Sequence, residues 1–242
     1  MFFTVPVLLA GCAGGFGACV RPACPGPDGC GRVAIRAAEG LAAGVRRAPE
    51  AALDTLPLTP VPRSHPKVGR LRGRGSLSIG TATHGFVVSD ARLPLEGPHH
   101  RVLAVQAARG LNCGTDEMVA GVLRAAEHVA RKHPGAILPV ANMGRCGGGD
   151  ICWSVSHNSG RDVDLGFYLM GPDGSQHVPE QLVVVGRDGT AMAGETPLRF
   201  DTARNWQVVR ALLTDPKVSI QWIFVSRYLR RQLLDHAEAI GE

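Results

Sequence analysis

The chain contains no uninterrupted run of about 18 or more apolar residues, which excludes a conventional membrane-spanning helix. Aromatic residues are scarce at 5%. No nucleic-acid-binding motif occurs and most basic residues are scattered, so nucleic acid is not the expected partner. The spacing C-x-x-C is missing as well. Cys19, Cys24 and Cys30 stand five and six residues apart, a poor spacing for a zinc knuckle.

What is present is the composition of a globular protein. The 242 residues are 45% hydrophobic and 19% charged, enough for one sizeable core. A net charge of +5 favours an anionic partner without choosing one. Seven cysteines are many for a reduced cytosolic chain and point to an oxidising compartment. At the N-terminus, the apolar stretch Phe2–Ala10 runs into Leu9-Ala10-Gly11-Cys12, which looks like a bacterial lipobox with Cys12 as the lipid-bearing residue, although the leader has no Lys or Arg. Without Cys12 six cysteines remain, and spacing alone cannot pair them. Cys146 and Cys152 flank one loop, and a local bridge between them would stiffen the approach to His157.

The organisation reads as a signal or lipobox segment over 1–12, a Pro-, Gly- and Arg-rich tether over 13–74, and a folded domain over 75–242. Little regular structure is expected in the tether apart from a helix over Val33–Val45. Its cluster Lys67, Arg70, Arg72 and Arg74 is read as solvated linker or a contact to anionic polymer. Within the domain, Leu77–Ile79 and Gly85–Val88 read as strands around a turn carrying His84. Thr115 caps a helix over Asp116–Lys132 whose apolar face is Val119, Val122, Leu123, Ala126 and Val129. Ala136–Val140 reads as a buried strand. Gln181–Arg187 and Thr190–Ala193 read as a hairpin. Asp201 or Thr202 caps a helix burying Trp206, Val209, Leu212 and Leu213. Val218–Val225 reads as a buried strand, and Ser226 caps a basic helix carrying Leu229, Leu233, Leu234 and Ala237. The pattern predicts an α+β fold, a small antiparallel sheet with flanking helices after a flexible N-terminal segment.

Chemistry concentrates in Ser156–Leu169, S-H-N-S-G-R-D-V-D-L-G-F-Y-L. Val163, Leu165, Phe167 and Leu169 fall on one face of a strand, and Asp162, Asp164, Gly166 and Tyr168 on the other. Two carboxylates over an apolar face are costly unless they have partners. The turn Asn158–Gly160 lets the chain fold back and bring the His157 imidazole over them. Imidazole and carboxylate converging this way are a suitable pair of zinc ligands.

The run H-N-S-G-R-D-V-D-L resembles the signature of the penicillin-insensitive murein endopeptidases, zinc peptidases related to D-Ala-D-Ala peptidases, lysostaphin and the hedgehog domain. Further stretches agree: S-I-G-T-A-T-H-G at Ser78–Gly85, D-A-R-L-P at Asp90–Pro94, F-D-T-A-R-N-W at Phe200–Trp206, and F-V-S-R-Y-L-R-R-Q-L-L-D-H-A at Phe224–Ala237. The resemblance covers roughly Gly75–Glu242. It implies a zinc-peptidase-like fold and one Zn2+ per chain held by His157 and Asp164. It also implies a peptidoglycan stem-peptide substrate bound near Arg145, Ser154, Asp162 and His84, and work in the periplasm or cell envelope. The expected reaction is hydrolysis of D-Ala-diaminopimelate cross-links without a serine nucleophile. The family's third ligand is the second His of a His-x-His pair, and its first His assists catalysis. No His-x-His occurs here. The domain is therefore expected to be C-terminally incomplete, or else a pseudoenzyme that binds or regulates peptidoglycan, unless His84, His99, His100 or His236 supplies the missing ligand.

Overall fold

In a computed structural model of the protein, the described residues are 75–151 and 153–242, together with the backbone of Thr4–Leu9. The tether, its expected helix, Cys12, Cys19, Cys24, Cys30 and Cys152 lie outside them. The strands are β1 (Thr4–Leu9), β2 (Leu77–Gly80), β3 (Gly85–Val88), β4 (Ala91–Arg92), β5 (His100–Val102), β6 (Cys113–Gly114), β7 (Leu138–Val140), β8 (Val163–Leu165), β9 (Leu169–Met170), β10 (Gln176–His177), β11 (Thr190–Ala193), β12 (Thr196–Phe200) and β13 (Ser219–Phe224). The helices are α1 (Ala104–Ala108), α2 (Asp116–Lys132), α3 (Thr202–Thr214) and α4 (Arg227–Ala239). The class is α+β.

Each long helix starts where its cap residue dictates. Thr115, Asp201 and Ser226 accept hydrogen bonds from the backbone N–H groups of Met118, Arg204 and Leu229. Acidic Asp116 and Glu117 open α2, and basic Arg131 and Lys132 close it, both favourable to the helix dipole. Its buried face carries Met118, Val119, Val122, Ala126 and Val129, whereas Leu123, expected in that face, is 36% exposed. Burying each large member of such a face stabilises the fold by ~1.5–3 kcal/mol. Arg124 of α2 meets Asp215 just beyond α3 at 2.7 Å.

The principal sheet has the order β13-β1-β8-β7-β5. It is mixed rather than antiparallel: β1 runs parallel to both β8 and β13, and β7 pairs antiparallel with β8 through Val140 and Leu165. The antiparallel sheet β10-β9-β12-β11 lies next in the chain. Phe167 and Phe200 meet edge-to-face, with ring centroids 5.0 Å apart. Asn205 of α3 ties this region together, accepting from the Tyr168 N–H at 3.0 Å and donating to the Tyr168 carbonyl at 2.8 Å.

Several sequence expectations need correction. The hairpin is Thr190–Ala193 with Thr196–Phe200, because turn formation at Gly194 pairs these two strands; Gln181–Arg187 adds only a bridge from Val185 to Ala191. Leu213 and Leu234 face outward. Strand β13, expected to be buried, is the edge of its sheet, and Trp222 and Phe224 stack on one another in an exposed position. Cys146 bonds to Cys113 rather than to Cys152. Reciprocal main-chain hydrogen bonds between Cys113 and Gly144, both 3.0 Å, bring the two chain segments together and explain this pairing.

Candidate metal centre

All three residues of β8 are buried, so Asp164 at its middle and Asp162 just before it cannot be solvated. Their relative exposures are 4% and 5%. His157 closes over them from a strained turn. Its φ of +73° is uncommon for a bulky residue and costs ~1–3 kcal/mol unless the surroundings enforce it. Here they do. The His157 N–H donates to Asp162 Oδ2 at 2.8 Å, and the next residue, Asn158, donates from its N–H to the Ala82 carbonyl at 2.9 Å. The Asn158 side chain donates to the Thr83 carbonyl at 2.8 Å and to Asp150 at 2.6 Å. The β2–β3 turn and the Gly-rich loop therefore grip the His157 turn from two sides. Gly144 lies so close that a Cβ there would be 2.7 Å from the His157 carbonyl oxygen.

The imidazole spans the two carboxylates. Nδ1 is 3.0 Å from Asp162 Oδ2, and Nε2 is 3.4 Å from Asp164 Oδ2. The second distance is a charge contact, too long for a good hydrogen bond. His157 Nε2, Asp164 Oδ1 and Asp162 Oδ1 are buried without hydrogen-bond partners. Burial of His157 lowers its pKa, but the close Asp162 and Asp164 carboxylates outweigh that and raise it to about 10. Without metal, the group is an imidazolium clasped between two carboxylates.

These atoms suit zinc. Two ligand atoms of one tetrahedral zinc, each bonded at ~2.0–2.1 Å, stand roughly 3.3–3.4 Å apart, and the Nε2 to Oδ2 separation is 3.4 Å. Asp162, bonded at the other ring nitrogen, fixes which nitrogen is left for a metal. Among the described residues no further His, Cys, Asp or Glu adds a third donor to this pair. His100 is held elsewhere, its Nε2 2.9 Å from the Pro94 carbonyl oxygen. Asp90, Cys113 and Cys146 do converge, but the two sulfurs are bonded to each other.

The other sequence candidates take different positions. Asp162, expected to touch substrate, is buried against His157. His84 is exposed on the β2–β3 turn, its Nδ1 3.0 Å from Thr83 Oγ1, and thus one residue from the carbonyl that Asn158 grips. Arg145 is exposed in the Gly-rich loop, and Ser154 is half-buried, its Oγ 3.1 Å from Ser156 Oγ. Trp153 is 46% exposed with the Arg109 guanidinium 4.5 Å above its ring. Sequence reasoning missed Asn142, buried against Asp164, and Gln106, buried against Asn142. The signal available was Asn142 itself, a polar residue inside the apolar run Leu138–Met143, which must find a hydrogen-bond partner once buried.

No curated protein matches the chain. A family does match, over residues 78–240, a span that contains His157, Asp162, Asp164 and the loops gripping them. Its description is penicillin-insensitive murein endopeptidase, and this chain belongs to that family.

Proposed function

We propose that the protein is a zinc-dependent endopeptidase that hydrolyses D-Ala-diaminopimelate cross-links between peptidoglycan stem peptides in the bacterial cell envelope. The observation that carries this reading is the His157–Asp164 pair, two buried donors 3.4 Å apart with Nε2 unpartnered. His157 and Asp164 would hold the ion. Bound zinc supplies a water of pKa near ~7 and polarises the scissile carbonyl.

The chain's own residues do the rest. Asp162 orients the imidazole through Nδ1 and accepts the backbone N–H that keeps His157 in its turn. Exposed His84 and Arg145 and half-buried Ser154 stand on the segments next to the His157 turn and would meet the stem peptide, Arg145 by gripping a carboxylate. The surplus of positive charge favours association with anionic wall polymer. A third protein ligand is required for a well-held ion. Among the described residues no further His, Cys, Asp or Glu fills that place. The lipobox-like Cys12 would hold such an enzyme at the membrane surface.

Digestion of purified cross-linked muropeptides, with zinc supplied and His157→Ala as control, tests the reading. Cleavage that chelation and the control both abolish supports it. Binding of muropeptides without any cleavage, unchanged by zinc, would replace it with a peptidoglycan-binding role.

A further inference from the structure

We infer that Asn142, held in turn by Gln106, is a positioning residue for Asp164, setting the plane of its carboxylate and so the lone pairs turned towards His157. The inference rests on the zinc reading above.

Three buried polar side chains form a relay. Gln106 is the one buried residue of α1, and it donates from Nε2 to Asn142 Oδ1 at 3.3 Å. Asn142 donates from Nδ2 to Asp164 Oδ2 at 2.8 Å. The main chain doubles this contact: the Asp164 N–H donates to the Asn142 carbonyl and the Ala141 N–H to the Asp164 carbonyl, both at 2.8 Å. Gln106, Asn142 and Asp164 are 4%, 8% and 4% exposed, so bulk solvent does not compete for these bonds.

The chemistry fixes the direction of the relay. An ionised carboxylate only accepts, so Asn142 must turn its NH2 group to Asp164 and its oxygen away. That oxygen then requires a donor, and the Gln106 NH2 group provides it. A neutral amide leaves the carboxylate its full charge, whereas Arg or Lys in the same place would compete with a cation. The arrangement also has a cost that packing alone would not justify. Gln106 Oε1 is buried with no partner, a penalty of ~1–3 kcal/mol that an apolar side chain would avoid. Outer contacts of this kind orient metal ligands, and their loss typically lowers metal affinity ~10–100-fold.

The test uses the full chain with cobalt(II) and zinc(II) as probes, measuring affinity by chelator competition and the cobalt d–d spectrum. Asn142→Ala is expected to weaken both metals ~10–100-fold and to alter the cobalt spectrum, with a smaller loss in the same direction for Gln106→Leu. Val129→Ala, a cavity in α2 away from the site, controls for lost stability and is expected to leave affinity and spectrum unchanged. If wild-type protein binds cobalt and Asn142→Ala binds it within about twofold with the same spectrum, the positioning role is wrong and the zinc reading stands. If wild-type protein binds no cobalt, both fall. Should Asn142→Ala not fold, Gln106→Leu decides: unchanged affinity there overturns the role.

Discussion

On the zinc reading, a proton and the metal ion would compete for Nε2 of His157, whose pKa the two flanking carboxylates raise to about 10. Zinc binding should therefore release close to one proton at neutral pH, and apparent affinity should rise ~10-fold per pH unit until the pH approaches that value. Calorimetry in buffers of different ionisation heat measures the proton directly. Stability of the metal-free protein should run the other way. The folded-state pKa lies above the unfolded value of 6.5, so the stabilisation is complete below about pH 6.5 and fades as pH climbs through 10. Denaturant midpoints between pH 6 and 10 should fall, and a midpoint that rose would refute the imidazolium. His157→Ala removes the cation and leaves Asp162 and Asp164 buried and unpaired, a loss of ~3–5 kcal/mol at neutral pH. Much of this was legible in the sequence. The seven-residue step from His157 to Asp164 and the Gly-containing turn between them predict convergence. The alternation of Asp162 and Asp164 with apolar residues suggests a half-exposed strand, yet β8 is buried on both faces. Periodicity reports which side chains share a face, not whether a second layer covers it.

Among the elements, the helices were the most readable because their start signals are local. Thr115 caps α2 through the Met118 N–H at 3.3 Å, and Thr115→Ala should cost ~1 kcal/mol in an equilibrium unfolding experiment. The strands were less readable because their pairing is not local. Trp222 and Phe224 in β13 look like core residues in sequence, but an edge position leaves them 57% and 49% exposed. The Gly-rich loop after Gly144 is visible in the sequence, while the reason for its glycines emerges only from packing. Gly148 has a φ of +72°, and a Cβ there would lie 2.3 Å from the Asn158 carbonyl oxygen and 2.6 Å from Phe86 Cα. Both obstacles are backbone, so neither can swing aside. Gly148→Ala should destabilise the protein by ~1–3 kcal/mol and loosen the His157 turn, read as weaker cobalt binding.

Across the whole molecule, the decisive placement is that of β1. The stretch Phe2–Ala10 reads as the apolar part of an export signal, but six of its residues form a strand between β13 and β8. A short apolar run fits either role, and composition does not arbitrate between them. The strand itself carries a conflict. Pro6 has no N–H to give to a ladder, and Pro is rare in strands paired on both sides. The pairing reflects this: the register with β13 shifts between Val5 and Pro6, and pairing with β8 is confined to Val7–Leu9. Leu8 is the register partner of Asp164, so whatever strand fills this slot borders the candidate metal centre. Processing at Cys12 would remove β1, and the slot would then need another occupant. Deleting residues 1–9 tests how much depends on it. β13 has no other strand partner among the described residues, and β8 keeps only the single Val140–Leu165 pair with β7. Amide hydrogen exchange in the deletion variant should accelerate at 219–224 and 163–165, while α2 and α3, held by caps and their own packing, keep their protection. With Asp164 opened to water, the carboxylate loses part of its hold on the His157 imidazolium, and the pKa followed by NMR should drop below about 10. Unchanged protection in β13 and β8 would mean that β1 is not the strand holding them together.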